Sequence, residues 1–381
     1  MAFSLSFFYA ALFAGIGIQL PFWPVWLESK GLSAGEIGIL LGTSYLVKIA
    51  ANPLVGHVVD RLGSRRLPMI VMAAATTVAF GAFALTEGFW PILALTLVAT
   101  GLFSAIIPIG DNLTLMKTRE AGLDYGRIRL WGSLAFIATA VGVGAVLERS
   151  TPETILWMFV GAIAITFLSC LALPESAAAK ANPSAGGIAT LLSSGTFVLF
   201  LTSAGLIQVS HMLYYGFGTL HWRANAISDF TIGWLWASGV LAEIVLFAFA
   251  GKWAARVGPA TLLSLGAAAG ILRWTLLATT TDVPLLFAAQ LLHGATFGCT
   301  HLGAMHFVLR AAPPGLSARA QVIHSSVAAG LVPGIAMPFM GPLYQELGGL
   351  AYLAMAALSL LGLLAAWQLG RRWRGQPIGS P

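Results

Sequence analysis

Among the ionisable side chains inside long apolar stretches of this chain are Lys48, Asp111, Arg129, Glu243, Arg273 and His293. If those stretches cross a membrane, a charge at mid-depth costs roughly 2.5–3.5 kcal/mol, so each such residue faces a cavity or a partner and marks a candidate site. Glu243 lies in Val240-Leu-Ala-Glu243-Ile-Val-Leu with no polar neighbour within a turn, so its partner must come from another helix. Arg273 and His293 are available, and a carboxylate beside an imidazole can take up and release protons. A structural ion pair is the competing reading. Asp111 and Arg129 form a second acid and base, the guanidinium fork being suited to hydroxyls or a carboxylate. Alternatively, both lie within one or two turns of the surface and simply reach water. Lys48, about midway along its stretch, has no such escape. It can meet an anionic substrate, pair with Asp111, or close a plain structural pair.

Other polar residues carry weaker signals. His293, His301 and His306 fall in one apolar stretch, where positions 293, 297 and 301 advance by four and share a face. No Cys or carboxylate accompanies them at ligand spacing, so no metal site is expected. Gln208, His211, Tyr214 and Tyr215 recur at steps of three and four, lining a cavity or packing a core. Cys170 and Cys299 sit singly in apolar runs and read as small buried hydrophobes. No GxSxG, HExxH or Walker pattern occurs, so the chain is not expected to be an enzyme or to carry a cofactor.

The elements that must position these residues follow from composition. Of 381 residues 58% are hydrophobic and only 9% charged, too little polar surface to coat a soluble globule, so the solvent for most of the chain is the lipid bilayer. A spanning helix needs about 20 apolar residues. Such stretches fall at about 3–27, 36–59, 66–86, 91–116, 126–147 and 154–173, then 190–217, 229–250, 260–279, 284–309, 319–344 and 350–370, with no competing strand pattern. The expected fold is therefore an all-α membrane protein of twelve transmembrane helices in two six-helix bundles, 1–173 and 190–381, the second ending in a short basic tail. Residues 174–189, PESAAAKANPSAGGIA, read as the flexible linker between them.

The net charge of +6 does not point to nucleic acid, because the basic residues are dispersed. They report topology instead. With a cytoplasmic N-terminus, fourteen of the 20 Lys and Arg lie on cytoplasmic segments, including Arg61, Arg65, Arg66, Lys117, Arg119, Lys180, Lys252, Arg256, Arg371 and Arg372; only Lys30, Arg149 and Arg223 lie outside. Both termini and the linker are thus expected in the cytoplasm. The halves also repeat. Gly56-His-Val-Val-Asp60-Arg61-Leu-Gly63 follows the second helix and Gly251-Lys-Trp-Ala-Ala255-Arg256-Val-Gly258 the eighth, with Gly, Arg and Gly at equal spacing. Repeats of this kind place one substrate site between two rocking halves in many transporters. The glycines are expected to form a tight turn, and Asp60 to cap a helix end or pair with an arginine in one of the alternating states.

Residues 56–66, GHVVDRLGSRR, resemble the signature loop of the major facilitator superfamily, and three further stretches narrow the resemblance. Pro21-Phe22-Trp23-Pro24-Val25-Trp26-Leu27 is similar to a run in the first helix of lactose permeases. Pro108-Ile-Gly-Asp111 with Tyr125-Gly126-Arg127-Ile128-Arg129 is similar to a stretch of the same relatives, and Glu243, Arg273 and Gln290-Leu-Leu-His293 supply the third. Together they resemble the phenylpropionate-permease branch related to lactose permeases, over essentially the whole chain. The resemblance implies two pseudo-symmetric bundles, places Glu243, Arg273 and His293 in a central cavity, marks His293 as a proton carrier, and aligns Asp111 and Arg129 with a binding site. The chain departs from the lactose permeases in two ways. Phe136 stands where they stack a Trp on the sugar, and Thr296 stands where they carry a Glu three residues after the histidine.

These readings converge on a secondary transporter of a small organic solute working by alternating access. The resemblance suggests proton-coupled uptake of an aromatic or other organic acid, by a monomeric protein of the bacterial inner membrane. A sugar or nucleoside proton symporter and a drug exporter are the alternatives within transport. A polytopic membrane enzyme would need a polar cluster near one interface, whereas these charges spread over both halves at mid-depth.

Overall fold

The computed structural model describes residues 1–175, 188–313 and 316–378. Most of the expected linker, residues 176–187, lies outside the described residues, as do Lys180 and the side chain of Lys252. Among the described residues eleven stretches are long and apolar enough to cross a membrane, and the last of them divides into two helices, giving twelve segments: α1 Ala2–Ser29, α2 Ala34–Leu62, α3 Arg66–Leu85, α4 Phe89–Ala121, α5 Tyr125–Leu147, α6 Glu153–Leu171, α7 Gly195–Ala224, α8 Asp229–Phe249, α9 Pro259–Thr279, α10 Val283–Ala311, α11 over 317–347 and α12 Tyr352–Arg372. Helices prevail because lipid offers the backbone no hydrogen bonds, so each segment must satisfy its own. Where ends meet water, side chains close them: Ser33 and Glu36 form a reciprocal capping box on α2, and the Asp124 carboxylate accepts from Gly126 N and Arg127 N at the start of α5. Trp90, Val78, Phe249 and Leu309 are largely exposed, a surface built for lipid.

Contacts divide the chain into two compact units, Met1–Asn182 with Trp222–Ala237 and Pro183–His221 with Ser238–Pro381. The division passes between residues 182 and 183, inside the linker read from the sequence, and in addition cuts α7 and α8.

In the first unit α1 packs against α5 and α6. The Pro21–Leu27 run builds its core: Trp23 stacks on Trp26 at 4.6 Å, and Phe80, Phe83 and Phe159 close around Trp23 edge-on or tilted. Lys30 Nζ bonds Glu153 Oε2 at 2.7 Å, and the Trp26 indole donates to the same oxygen at 3.2 Å, fixing α1 to α6. The repeat segment differs from expectation. Gly56, Asp60 and Arg61 are not a loop but the last turns of α2, because the hydrogen-bond ladder continues to Leu62 and stops only at Gly63 in the left-handed conformation (φ 65°). Asp60 is exposed and makes no ion pair or side-chain hydrogen bond among the described residues. In the second unit the copy Gly251–Val257 is a short separate helix, again ended by a positive-φ glycine, Gly258.

The second unit packs α9 on α12 and on α10. Its core includes Phe200 stacked on Phe307 at 4.2 Å and Trp373 edge-on to Phe307 at 4.8 Å. Three of its helices are interrupted. The α7 ladder breaks at Ser210-His211, α10 holds a π-helical turn over Gly294–Cys299, and α11 holds one over Val327–Leu331. Such interruptions frequently coincide with function.

Within the first unit, α5 and the start of α8 touch backbone to backbone. A Cβ on Gly144 would lie 2.2 Å from the Asp229 carbonyl oxygen, and one on Gly233 would lie 2.4 Å from the Ala140 carbonyl oxygen. Gly142, two residues from Gly144, has nothing within 4 Å. Gly144→Ala should therefore destabilise by about 1–3 kcal/mol through overpacking, while Gly142→Ala should be neutral or gain up to about 1 kcal/mol from helix propensity. Melting of the purified variants in detergent checks this, and equal midpoints would show that the crossing is not tight.

Candidate functional site

Arg273 is the largest charged side chain with no exposure at all. It sits on α9, its guanidinium carbon 4.6 Å from the ring centroids of both Tyr214 and Trp274, so two aromatic faces hold the cation. Its Nη2 donates to Gln290 Oε1 at 2.7 Å, and its Nη1 donates to His293 Nδ1 at 2.7 Å and to Thr296 Oγ1 at 3.3 Å. Gln290, His293 and Thr296 recur at steps of three on α10, and the π turn begins immediately after His293.

Proton positions follow from donor chemistry. A guanidinium only donates, so His293 Nδ1 must accept and the ring proton of the neutral imidazole lies on Nε2. That proton points to Glu243 Oε1 on α8, 2.7 Å away. A chain thus runs from Arg273 through His293 to Glu243, in which His293 cannot gain a second proton without releasing Arg273. A branch leaves through Thr296. His211 Nδ1 lies 2.9 Å from the Ile207 carbonyl and donates to it, leaving Nε2 facing Thr296 Oγ1 at 3.1 Å. The Thr296 hydroxyl has one proton and two acceptors in reach, His211 Nε2 and the His293 carbonyl at 3.2 Å. With His211 neutral the proton goes to its ring; with His211 charged it turns to the carbonyl. Trp274 is itself fixed, its indole N–H donating to Ser210 Oγ at 3.0 Å and Ser359 Oγ at 3.1 Å.

The first unit holds a looser set. Asp111 Oδ1 accepts from the hydroxyls of Tyr9 at 2.5 Å and Tyr125 at 3.2 Å. Arg129 lies over the rings of Phe13, 3.7 Å from the centroid, and Tyr9, 5.2 Å away. Tyr9 therefore joins the acid and the base, which form no direct ion pair in this structure. Lys48 Nζ lies 4.8 Å from the Tyr45 ring centroid.

The sequence profile of the MFS_1 like family matches residues 2–354. The chain belongs to that family of major facilitator transporters. It is 33% identical over 366 residues to a probable 3-phenylpropionic acid transporter of Escherichia coli (strain K12), covering 93% of this chain and 94% of the relative. It is also 28% identical to a maltose permease of Geobacillus stearothermophilus, covering 96% and 94% of the two chains. Among solved structures it is similar to a mutant of the nucleoside transporter NupG, with a TM-score of 0.87, 16% identity and coverage of 97% and 99%. A bacterial homolog of the human lysosomal transporter Spinster superposes with a TM-score of 0.72 at 14% identity, over 97% and 96%. At these identities the two structures speak for the fold alone.

This major facilitator protein is thus a multi-pass secondary transporter of a small molecule. Of the residues singled out from sequence, Glu243, Arg273, His293, His211 and Tyr214 come together in the second unit, whereas Asp111 and Arg129 meet through intervening tyrosine and not directly. Phe136 is 5% exposed on the α1–α5 seam, where its backbone abuts Gly17. His301 stacks on Phe297 at 6.0 Å, and Phe297 on His293 at 5.8 Å. Gln290, Thr296 and Trp274 as partners of Arg273, and Tyr9 as partner of Asp111, were not evident beforehand. The 290, 293, 296 spacing was the available signal.

Arg273→Lys keeps the charge but loses the planar fork, leaving at least one of Gln290, His293 and Thr296 without its donor. We expect a loss of about 1–3 kcal/mol for each orphaned buried group, read as a lower melting temperature of the purified transporter. An unchanged midpoint would show that the acceptors are satisfied some other way.

Proposed function

We propose that this protein imports a small organic acid of the phenylpropionate type together with protons, by alternating access, across a bacterial inner membrane. It works as a monomer with both termini in the cytoplasm. The observation that carries the proton coupling is the buried Arg273–His293–Glu243 chain. Protonation at His293 Nδ1 and the Arg273 contact exclude one another, so a proton arriving or leaving changes what Arg273 can bind. Glu243, the acid at the end of that chain, is the protonation centre, and Thr296 has no carboxyl with which to share the task. For the substrate, the 33% identity to a phenylpropionic acid transporter over nearly the full chain supports an aromatic carboxylate. A sugar symporter is the second reading, supported by the 28% identity to a maltose permease.

Uptake of labelled 3-phenylpropionate, maltose and uridine into proteoliposomes, with and without an inward proton gradient, separates these readings. Gradient-driven accumulation of the acid alone is expected. Glu243→Gln should abolish that accumulation while leaving counterflow at least partly intact. If the variant still accumulates substrate in response to the gradient, Glu243 is structural and coupling must be sought at Asp111. Reporter fusions at residue 381 and within 174–189 should both report the cytoplasm, as the dispersed basic residues require. An external signal from either would sink the topology.

A further inference from the structure

The cations singled out within the apolar stretches, Lys48, Arg129 and Arg273, differ in their surroundings. Arg273 is engaged by the chain itself: its two terminal nitrogens donate to Gln290, His293 and Thr296, while its buried Nε–H has no hydrogen-bond partner among the described residues. Arg129 is only four residues from the start of α5, about 6 Å along the axis, and stacks on Phe13. Lys48 is different. It is 14 residues from each end of α2, about 21 Å from either, and its ammonium makes no ion pair or hydrogen bond among the described residues. Asp111, the acid that the sequence offers as its partner, is already held by the Tyr9 and Tyr125 hydroxyls.

What surrounds Lys48 is built of donors and one ring. Ser44, Lys48 and Asn52 follow at steps of four and share a face of α2. Ser44 Oγ donates to the Leu40 carbonyl at 3.0 Å and stands 3.4 Å from Thr100 Oγ1. Ser104 Oγ has two acceptors in reach, Asn52 Oδ1 at 2.9 Å and the Gly101 carbonyl at 3.2 Å; its one proton, given to the nearer, leaves the Asn52 NH2 over. An ammonium and an amide NH2, one turn apart on the same face and both without acceptors, complement the two oxygens of a carboxylate. The Tyr45 ring beside the ammonium supplies an apolar face for the body of the acid. We propose that Lys48, seconded by Asn52 and Tyr45, is the subsite that binds the carboxylate of the substrate. This rests on the organic-acid reading above and names its recognition group.

The test is counterflow without any gradient, which reads binding and exchange apart from proton coupling, in proteoliposomes of the full-length protein. Probes are 3-phenylpropionate and its uncharged amide, on the wild type, Lys48→Met, Lys48→Gln and Lys48→Arg, each first shown to melt like the wild type or set aside for the next variant. The wild type should prefer the carboxylate. Lys48→Met and Lys48→Gln should raise the half-saturation concentration for the acid on the order of 10–100-fold and bring acid and amide level, with Lys48→Arg restoring most of the preference. If the neutral variants keep the wild-type preference for the acid, Lys48 is not the subsite, although the organic-acid reading stands. If the wild type exchanges the amide, maltose or uridine but not the acid, both that reading and this assignment fall.

Discussion

A guanidinium with no exposure, inside a helix bundle surrounded by lipid, sets terms that its neighbours must meet. Arg273 stays charged, its N–H groups need acceptors, and hydrocarbon offers none. The acceptors come from three residues of one helix, Gln290, His293 and Thr296, and the faces of Tyr214 and Trp274 cover the plane of the ion. Each neighbour is then constrained in turn. His293 must present a bare Nδ1 and so turns its N–H to Glu243, while Trp274 is locked by Ser210 and Ser359. Removing the arginine would leave these groups buried and mutually mismatched, so its pairing organises the middle of four helices.

That organisation is compatible with movement because the helices involved are not regular. α7 breaks beside His211, and α10 widens into a π turn at Gly294, directly after His293. A regular ladder resists local rearrangement, since every carbonyl is already taken; a broken one has groups that can exchange partners. Thr296 shows how. Its single hydroxyl proton serves either the His211 ring or the His293 carbonyl, so the charge on one histidine selects the hydrogen bond made at the backbone of the other. The tight crossing at Gly144 and Gly233 works the opposite way, giving the first unit a backbone contact with no freedom to adjust.

Much of this was legible in the sequence, for physical reasons that also explain the rest. Apolar runs of spanning length are enforced by lipid, so the twelve helices and most of their ends were readable to within a few residues. Ionisable residues within those runs are costly, which made Glu243, Arg273 and His293 conspicuous. Neutral hydrogen-bonding residues carry no such penalty, so Tyr9 was silent and Thr296 stood out only for the carboxyl it lacks, although both touch the ions. The segment from Gly56 to Gly63 misled because glycine signals permission to turn, not an obligation. The chain keeps its helix through Gly56 and uses only Gly63 for the left-handed residue.

The two units share a repeat but treat mid-depth charge in contrary ways. In the second, Arg273's two terminal nitrogens occupy three acceptors of the chain's own, Gln290, His293 and Thr296, and His293 in turn meets an acid at Glu243. In the first, the phenols of Tyr9 and Tyr125 occupy Asp111, and Lys48 is left beside a ring and two polar side chains with no acid of its own. A saturated network responds to protons, because any added proton must displace a bond. An unsaturated cation responds to anions, because nothing must be displaced. On the proposed assignment, division of the two tasks between the units lets one transporter bind an acid and a proton without the acid neutralising the group that senses the proton.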